Sequence, residues 1–176
     1  MAVIRSVRGY APRFGSNCFF ADGAVIVGEV SMGNNCTVWF NAVVRGDVHS
    51  ITIGNDTNIQ DGAVIHCTYQ KAKTVIGSRV SIAHNAIVHG CTIEDDVLIG
   101  MGAIIMDDAV VGSNSVVAAG AVVLPGTRIE AGSIYAGVPA KRVKDTSEEM
   151  RAVIQRTARN YPQYADWFRA EDAQQN

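Results

Sequence analysis

Three of the chain's four histidines, His66, His84 and His89, lie close together in the middle of the sequence. His66 and His89 each directly follow an aliphatic residue, Ile65 and Val88, and Arg45 follows Val44 in the same way. Two neutral imidazoles pointing the same way from neighbouring strands about 5 Å apart are the beginning of a metal site. A third imidazole, with one position left for water, would give the open form of a catalytic site suited to zinc, iron or cobalt. Charged and amide side chains collect nearby, in Arg45-Gly46-Asp47 and in Asn58-Ile59-Gln60-Asp61. A carboxylate beside a ligating imidazole fixes its tautomer, and Asp61 is the candidate for His84. Gln60 is placed either to hydrogen-bond a metal-bound water or to join a ladder between coils. Arg45, with Asp47 or Asp61, forms an ion pair that either serves the site across subunits or only holds the assembly. Cys67 and Cys91 neighbour His66 and His89 but read as pointing to the other side of the strand, so thiolate ligation is not expected.

What must position these groups is a six-residue beat running from about Phe14 to about Ala140. Phe14, Phe20 and Ile26 open a series that continues through Val44, Ile65, Ile82 and Val88 to Tyr135, and a mostly small residue follows each of them four positions later. A period of six fits neither a strand nor a helix over such a length. It fits a chain that turns a corner every six residues and closes a three-sided coil in 18, with coils stacked through ladder hydrogen bonds at about 4.8 Å. One hexad cannot bury its own apolar face; stacking creates a continuous core. In this register Arg45, His66 and His89 form one column in three consecutive coils, where neighbouring coils carry Val27, Met106 and Leu124. His49 falls outside the register and reads as a loop residue. Extra residues at Ser50–Thr52 and at Lys71–Val75, and a hexad at Val88 that is one residue short, all map to one corner.

His84 lies two residues after Ile82, on a different face from the other two histidines. Within one chain it is not expected to reach an ion held by His66 and His89, so its participation requires another copy. A threefold ring with three interface sites meets that requirement. Asp61, two residues after Ile59, stacks beneath His84.

Composition narrows the alternatives. With 15 basic and 17 acidic residues there is no electrostatic case for nucleic acid or an anionic membrane. No apolar run approaches the roughly 20 residues needed to span a bilayer. Met1 to Tyr10 has no secretory signature, so the expected location is the cytoplasm. Cys18 and Cys36 fall at the same place on adjacent coils and read as two thiols in the column of small residues, not as a bridge. After Ala140 the pattern changes. Thr146 and Glu149 read as a capping box, and Met150, Val153, Ile154 and Tyr161 form a helical apolar stripe. Pro162 predicts a break near Tyr161, followed by a short segment with Tyr164, Trp167 and Phe168 and a frayed tail from about Ala170. The expected organisation is an all-β solenoid over residues 1–144 and a helical segment over 145–176 that packs on the prism.

Val44-Arg45-Gly46-Asp47, Asn58-Ile59-Gln60-Asp61-Gly62, His66 and Ala83-His84-Asn85-Ala86-Ile87-Val88-His89-Gly90 together resemble the γ-class carbonic anhydrases, over nearly the whole chain. The resemblance implies a left-handed parallel β-helix of hexapeptide repeats with a C-terminal α-helix. It implies a homotrimer with a zinc ion, or ferrous iron or cobalt, at each interface, held by His66 and His89 of one copy and His84 of the next. It implies reversible hydration of CO₂ to bicarbonate by a metal-bound hydroxide. Gln60 is implied as partner of the bound water and bicarbonate, Arg45 and Asp61 as ion-pair residues, Asn58 as a further match, and a C-terminal tyrosine, Tyr161 in preference to Tyr164, as reaching the site. One departure stands out: Cys67-Thr68-Tyr69-Gln70-Lys71 and Val48 carry none of the proton-shuttling glutamates of the best-characterised members. The chain therefore resembles the short-loop subgroup, in which hydration is often weak. Two other readings remain open: an acyl- or acetyl-CoA transferase with His84 as general base, and a non-catalytic metal-binding homologue.

Overall fold

The structure, a computed structural model, describes residues 1–175. It is a parallel β-solenoid with one C-terminal helix, Glu148–Gln175. Short strands recur on three faces. One face carries Phe19–Phe20, Thr37–Val38, Asn58–Ile59, Ser81–Ile82, Leu98–Ile99 and Val116–Val117 in order. The other two are joined by the long strands Val25–Met32 and Val43–Ile53, which run across a corner.

The beat is visible directly in the burial. Ile26, Val44, Ile65, Val88 and Ile105 stack in register on one face with no exposed surface. Each such side chain contributes about 1.5–3 kcal/mol by leaving water. The small column, including Ala24, Cys36, Ala42, Ala63, Ala86 and Ala103, is equally buried at the corners. There the residue just before it, as in Asn35, Asn41 and Asn85, takes a left-handed conformation (φ 55°, 59° and 57°). Asparagine tolerates this better than most residues because its short polar side chain bonds locally. Asn17 donates from its side-chain amide to Asn35 at 3.1 Å, and Asn35 to Asp56 at 2.9 Å, tying one corner from coil to coil.

The insertions lie at the expected corner but not at the expected residues. Pairing between Val25–Met32 and Val43–Ile53 is in register up to Gly28 and Gly46 and resumes at Val30 and Ile51. The excess of three residues therefore falls within residues 47–50, which stand opposite Glu29 alone, and Ile51 and Thr52 are ordinary ladder members. His49 accordingly belongs to the strand Val43–Ile53 rather than to a loop, and its Nδ1 accepts the Ser50 N–H at 2.8 Å. The second insertion is a small hairpin closed between Thr68 and Ala72, while Thr74 and Val75 already pair with Ile51 and Thr52.

The C-terminal segment departs from expectation in three ways. Ser147, not Thr146, caps the helix: its Oγ accepts the Met150 N–H at 3.2 Å, while the Thr146 hydroxyl donates to the Asn114 carbonyl at 3.1 Å. The helix also runs through Pro162 without a break. Proline costs an isolated helix about 3 kcal/mol, but here Ile154, Ala158 and Ala165 are buried on both sides of it and tertiary packing holds the helix together. Finally, residues 170–175 are helical rather than frayed; Asn176, the last residue of that expected tail, lies outside the described residues. Trp39 packs edge-on against Tyr161 and Phe168, with ring centroids 5.4 and 5.6 Å away, and Arg169 donates to the Asn17 carbonyl at 3.2 Å. At the C-terminal end of the stack, Lys141–Asp145 turns back and pairs antiparallel with Ser133–Ala136. Among the described residues no helix is long and apolar enough to cross a membrane.

Candidate functional site

His66 and His89 are direct ladder partners on the strands Val64–His66 and Ile87–His89. Below them Arg45 pairs with Val27, extending the column expected from the beat. The imidazole rings lie 5.2 Å apart, with His66 Nδ1 and His89 Nε2 separated by 3.2 Å. Each ring is held from outside by a carboxylate: His66 Nε2 lies 2.9 Å from Asp47 Oδ1, and His89 Nδ1 lies 2.6 Å from Asp107 Oδ1. An ionised carboxylate only accepts hydrogen bonds, so both outer nitrogens carry the N–H. With both rings neutral, the two inner nitrogens present lone pairs to each other across 3.2 Å, a gap that a shared proton or a metal cation can bridge.

Electrostatics supports this protonation pattern. Burial alone would raise the Asp47 carboxyl, but the hydrogen bonds from His66 and Arg45 outweigh it and hold the group below the usual carboxylate range. Asp107 is lowered in the same manner, with hydrogen bonds from Thr68 and His89 overcoming its burial. Burial pushes the His66 imidazole below its ordinary value, and the Asp47 bond only partly opposes that. Both anions therefore stay charged and His66 stays neutral near pH 7. Arg45 Nη1 lies 2.5 Å from Asp47 Oδ2 in the same chain.

Backbone contacts fix the pair further. The buried Thr74 hydroxyl donates to the His66 carbonyl at 2.6 Å and accepts the Gly90 N–H at 3.0 Å, clamping the two histidine strands together. Cys67 and Cys91 are buried in the core, on the side away from the imidazoles, and all four cysteines are free thiols. A groove of about 390 Å³ adjoins His89, walled by Ile87, Ile104, Met106 and Pro125 with Lys71 and Asp107.

His84 occupies another face. Its Nδ1 lies 2.8 Å from Asp61 Oδ2, the stacking expected from sequence, and the two side chains are 39% and 42% exposed. Among the described residues of one chain, no three metal-ligating side chains converge on a point. Asn58 and Gln60 are buried beside this face. Gln60 Nε2 donates to Asn58 Oδ1 at 3.0 Å, and Asn58 Nδ2 donates to Ser81 Oγ at 2.8 Å in the next coil. Tyr161 reaches the same region from the helix: burial first, then the charge of Asp61 and the neighbouring Tyr164, push its phenol up to about 12.

Asp107, Thr68 and Thr74 were not singled out from sequence. Asp107 was not readable from the beat, since Ile105 stacks on Val88 and Met106 therefore takes the position above His89, one residue before Asp107. Nor were the two threonines, because their positions depend on how the insertion folds.

The donor set fits a divalent metal. Two nitrogens on a tetrahedral zinc at about 2.0–2.1 Å are separated by about 3.3 Å, close to the observed gap of 3.2 Å. Imidazoles backed by carboxylates are a common setting for such an ion.

Comparison with known proteins agrees with this reading. Residues 90–125 match the repeat family described as "Bacterial transferase hexapeptide (six repeats)". Fold and repeat thus define a hexapeptide-repeat solenoid protein. The chain is 56% identical over 145 residues to a "Probable carbonic anhydrase" of Methanocaldococcus jannaschii, covering 82% of this chain and 91% of the relative. It is 38% identical over 168 residues to "Gamma carbonic anhydrase 1, mitochondrial" of Arabidopsis thaliana, covering 93% of this chain and 61% of that longer protein. The crystal structure of a hexapeptide transferase family protein from Anaplasma phagocytophilum superimposes with a TM-score of 0.90 at 38% identity, over 94% of this chain and 98% of the other. The chain belongs to the γ-class carbonic anhydrase family.

Proposed function

We propose that the protein is a carbonic anhydrase that interconverts CO₂ and bicarbonate at a divalent metal held between copies of the chain. His66 and His89 hold the ion from one copy and His84 from its neighbour in a homotrimer. Zinc is the proposed ion, and ferrous iron or cobalt suits the same ligands. The observation that carries the reading is the pair of facing imidazole lone pairs, each fixed by a carboxylate on the far side of its ring. When bound, such an ion supplies Lewis acidity that makes water nucleophilic near neutral pH.

The chain's own residues do the remaining work. Asp47, Asp107 and Asp61 hold the three imidazoles in their ligating tautomers, and Arg45 holds Asp47. The Gln60–Asn58 amide pair orients the attacking water and the product bicarbonate. Tyr161 stays protonated at neutral pH and acts as a hydrogen-bond donor, so the proton of the hydration step leaves to buffer.

Stopped-flow CO₂ hydration by protein reconstituted anaerobically with zinc or ferrous iron tests this. Expected are activity that rises with buffer concentration and loss of both metal and activity in His66→Ala. No hydration at full metal occupancy would overturn the catalytic reading and leave a metal-binding homologue. A second reading, a CoA-dependent acyl transfer, draws on the exposed His84–Asp61 pair as a general-base dyad. Binding of CoA without metal would select it.

A further inference from the structure

We propose that the hairpin between Thr68 and Ala72 is a positioning brace for the histidine pair, acting on Asp107 through Thr68 and on Asp47 through Tyr69 and Arg8. The proposal rests on His66 and His89 being metal ligands. Backbone bonds close the hairpin: the Thr68 N–H donates to the Ala72 carbonyl at 3.0 Å, and the Ala72 N–H returns to the Thr68 carbonyl at 3.2 Å. The Thr68 hydroxyl donates to Asp107 Oδ2, while Asp107 Oδ1 accepts from His89. A carboxylate held through one oxygen alone turns about its terminal torsion, whose energy well is broad; held through both, it fixes the imidazole plane. On the other side the Arg8 guanidinium lies 5.6 Å over the Tyr69 ring and donates to the Asp47 carbonyl at 3.1 Å. One five-residue turn thus reaches both aspartates that orient the imidazoles. It overlaps Cys67-Thr68-Tyr69-Gln70-Lys71, a segment that carries no carboxylate.

The test is zinc affinity, measured by competition with a chromophoric chelator, together with the visible spectrum of the cobalt-loaded protein. Thr68→Val keeps the branched shape and removes the hydroxyl; Thr68→Ser keeps the hydroxyl. Expected is a loss of zinc affinity of about 10–100-fold in Thr68→Val, with altered cobalt bands, and recovery to within a few-fold of wild type in Thr68→Ser. Tyr69→Leu, at an exposed position, is expected to fold and to weaken zinc by about tenfold. Wild-type affinity and spectrum in Thr68→Val overturn the brace alone, as does failure of Thr68→Ser to restore binding. Should Thr68→Val not fold, unchanged affinity in Tyr69→Leu overturns it. A wild-type protein that binds neither zinc nor cobalt overturns the metal reading and the brace with it.

Discussion

Tyr161 shows how its surroundings can assign a side chain one job and deny it another. Its phenol, raised to about 12 by burial and by the charge of Asp61, does not take up protons from a neutral-pH reaction. The folded value lies above the unfolded one of about 10. The stability this contributes is present below pH 10 and is lost as pH rises through 12. Tyrosinate absorbance should show one group titrating near 12 that is missing in Tyr161→Phe, and alkaline loss of stability between pH 10 and 12 should be smaller in that variant. At this scale much of the site was legible. The column of Arg45, His66 and His89 follows from counting, and Asp61 beneath His84 follows from the same register. Asp107 escaped notice because counting says which positions stack, not which side chains lean across to a neighbouring coil. Arg45 was weighed as a cross-subunit partner, yet its contact with Asp47 two residues along needs only local strand geometry.

Elements translate these contacts into backbone requirements. Gly90 sits between the hairpin and Asp107 at φ +55°, where an added Cβ would lie 2.4 Å from Asp107 Oδ1 and 2.8 Å from the Ala72 Cβ. Gly102 has a similar φ of +65° with nothing within 4 Å. Gly102→Ala should therefore cost only the backbone term, about 1–2 kcal/mol. Gly90→Ala should cost more, up to about 3 kcal/mol, and should also weaken zinc binding by displacing Asp107. Denaturant melts with metal titrations separate the two. The solenoid was readable because its period is enforced coil after coil. The limits of the insertions were not, since residues 47–50 and 68–72 are placed by where pairing resumes. Pro162 misled because local propensity was weighed without the buried Ile154, Ala158 and Ala165 that hold the helix to the prism.

The whole molecule enters through His84, which is expected to complete a site only in a neighbouring copy. The assembled protein should have a mass three times that of the 18.8 kDa chain. His66→Ala and His84→Ala should each be inactive, yet mixing the two variants by unfolding and reassembly should restore about a quarter of wild-type activity. Half the interfaces draw an intact His66–His89 pair, and half of those face an intact His84. Absence of any recovery would place all three ligands in one chain or none in the site. The reversed strand Lys141–Asp145 has a consequence at this scale too. A stack of nearly identical rungs is an open template, and a bare last rung would invite another molecule to add its own and grow a fibre. Here the outermost strand runs against the others and exposes Lys141, Arg142, Lys144 and Asp145 along that edge. On that face an incoming rung would meet the wrong polarity and a row of charges, which works against end-to-end growth there.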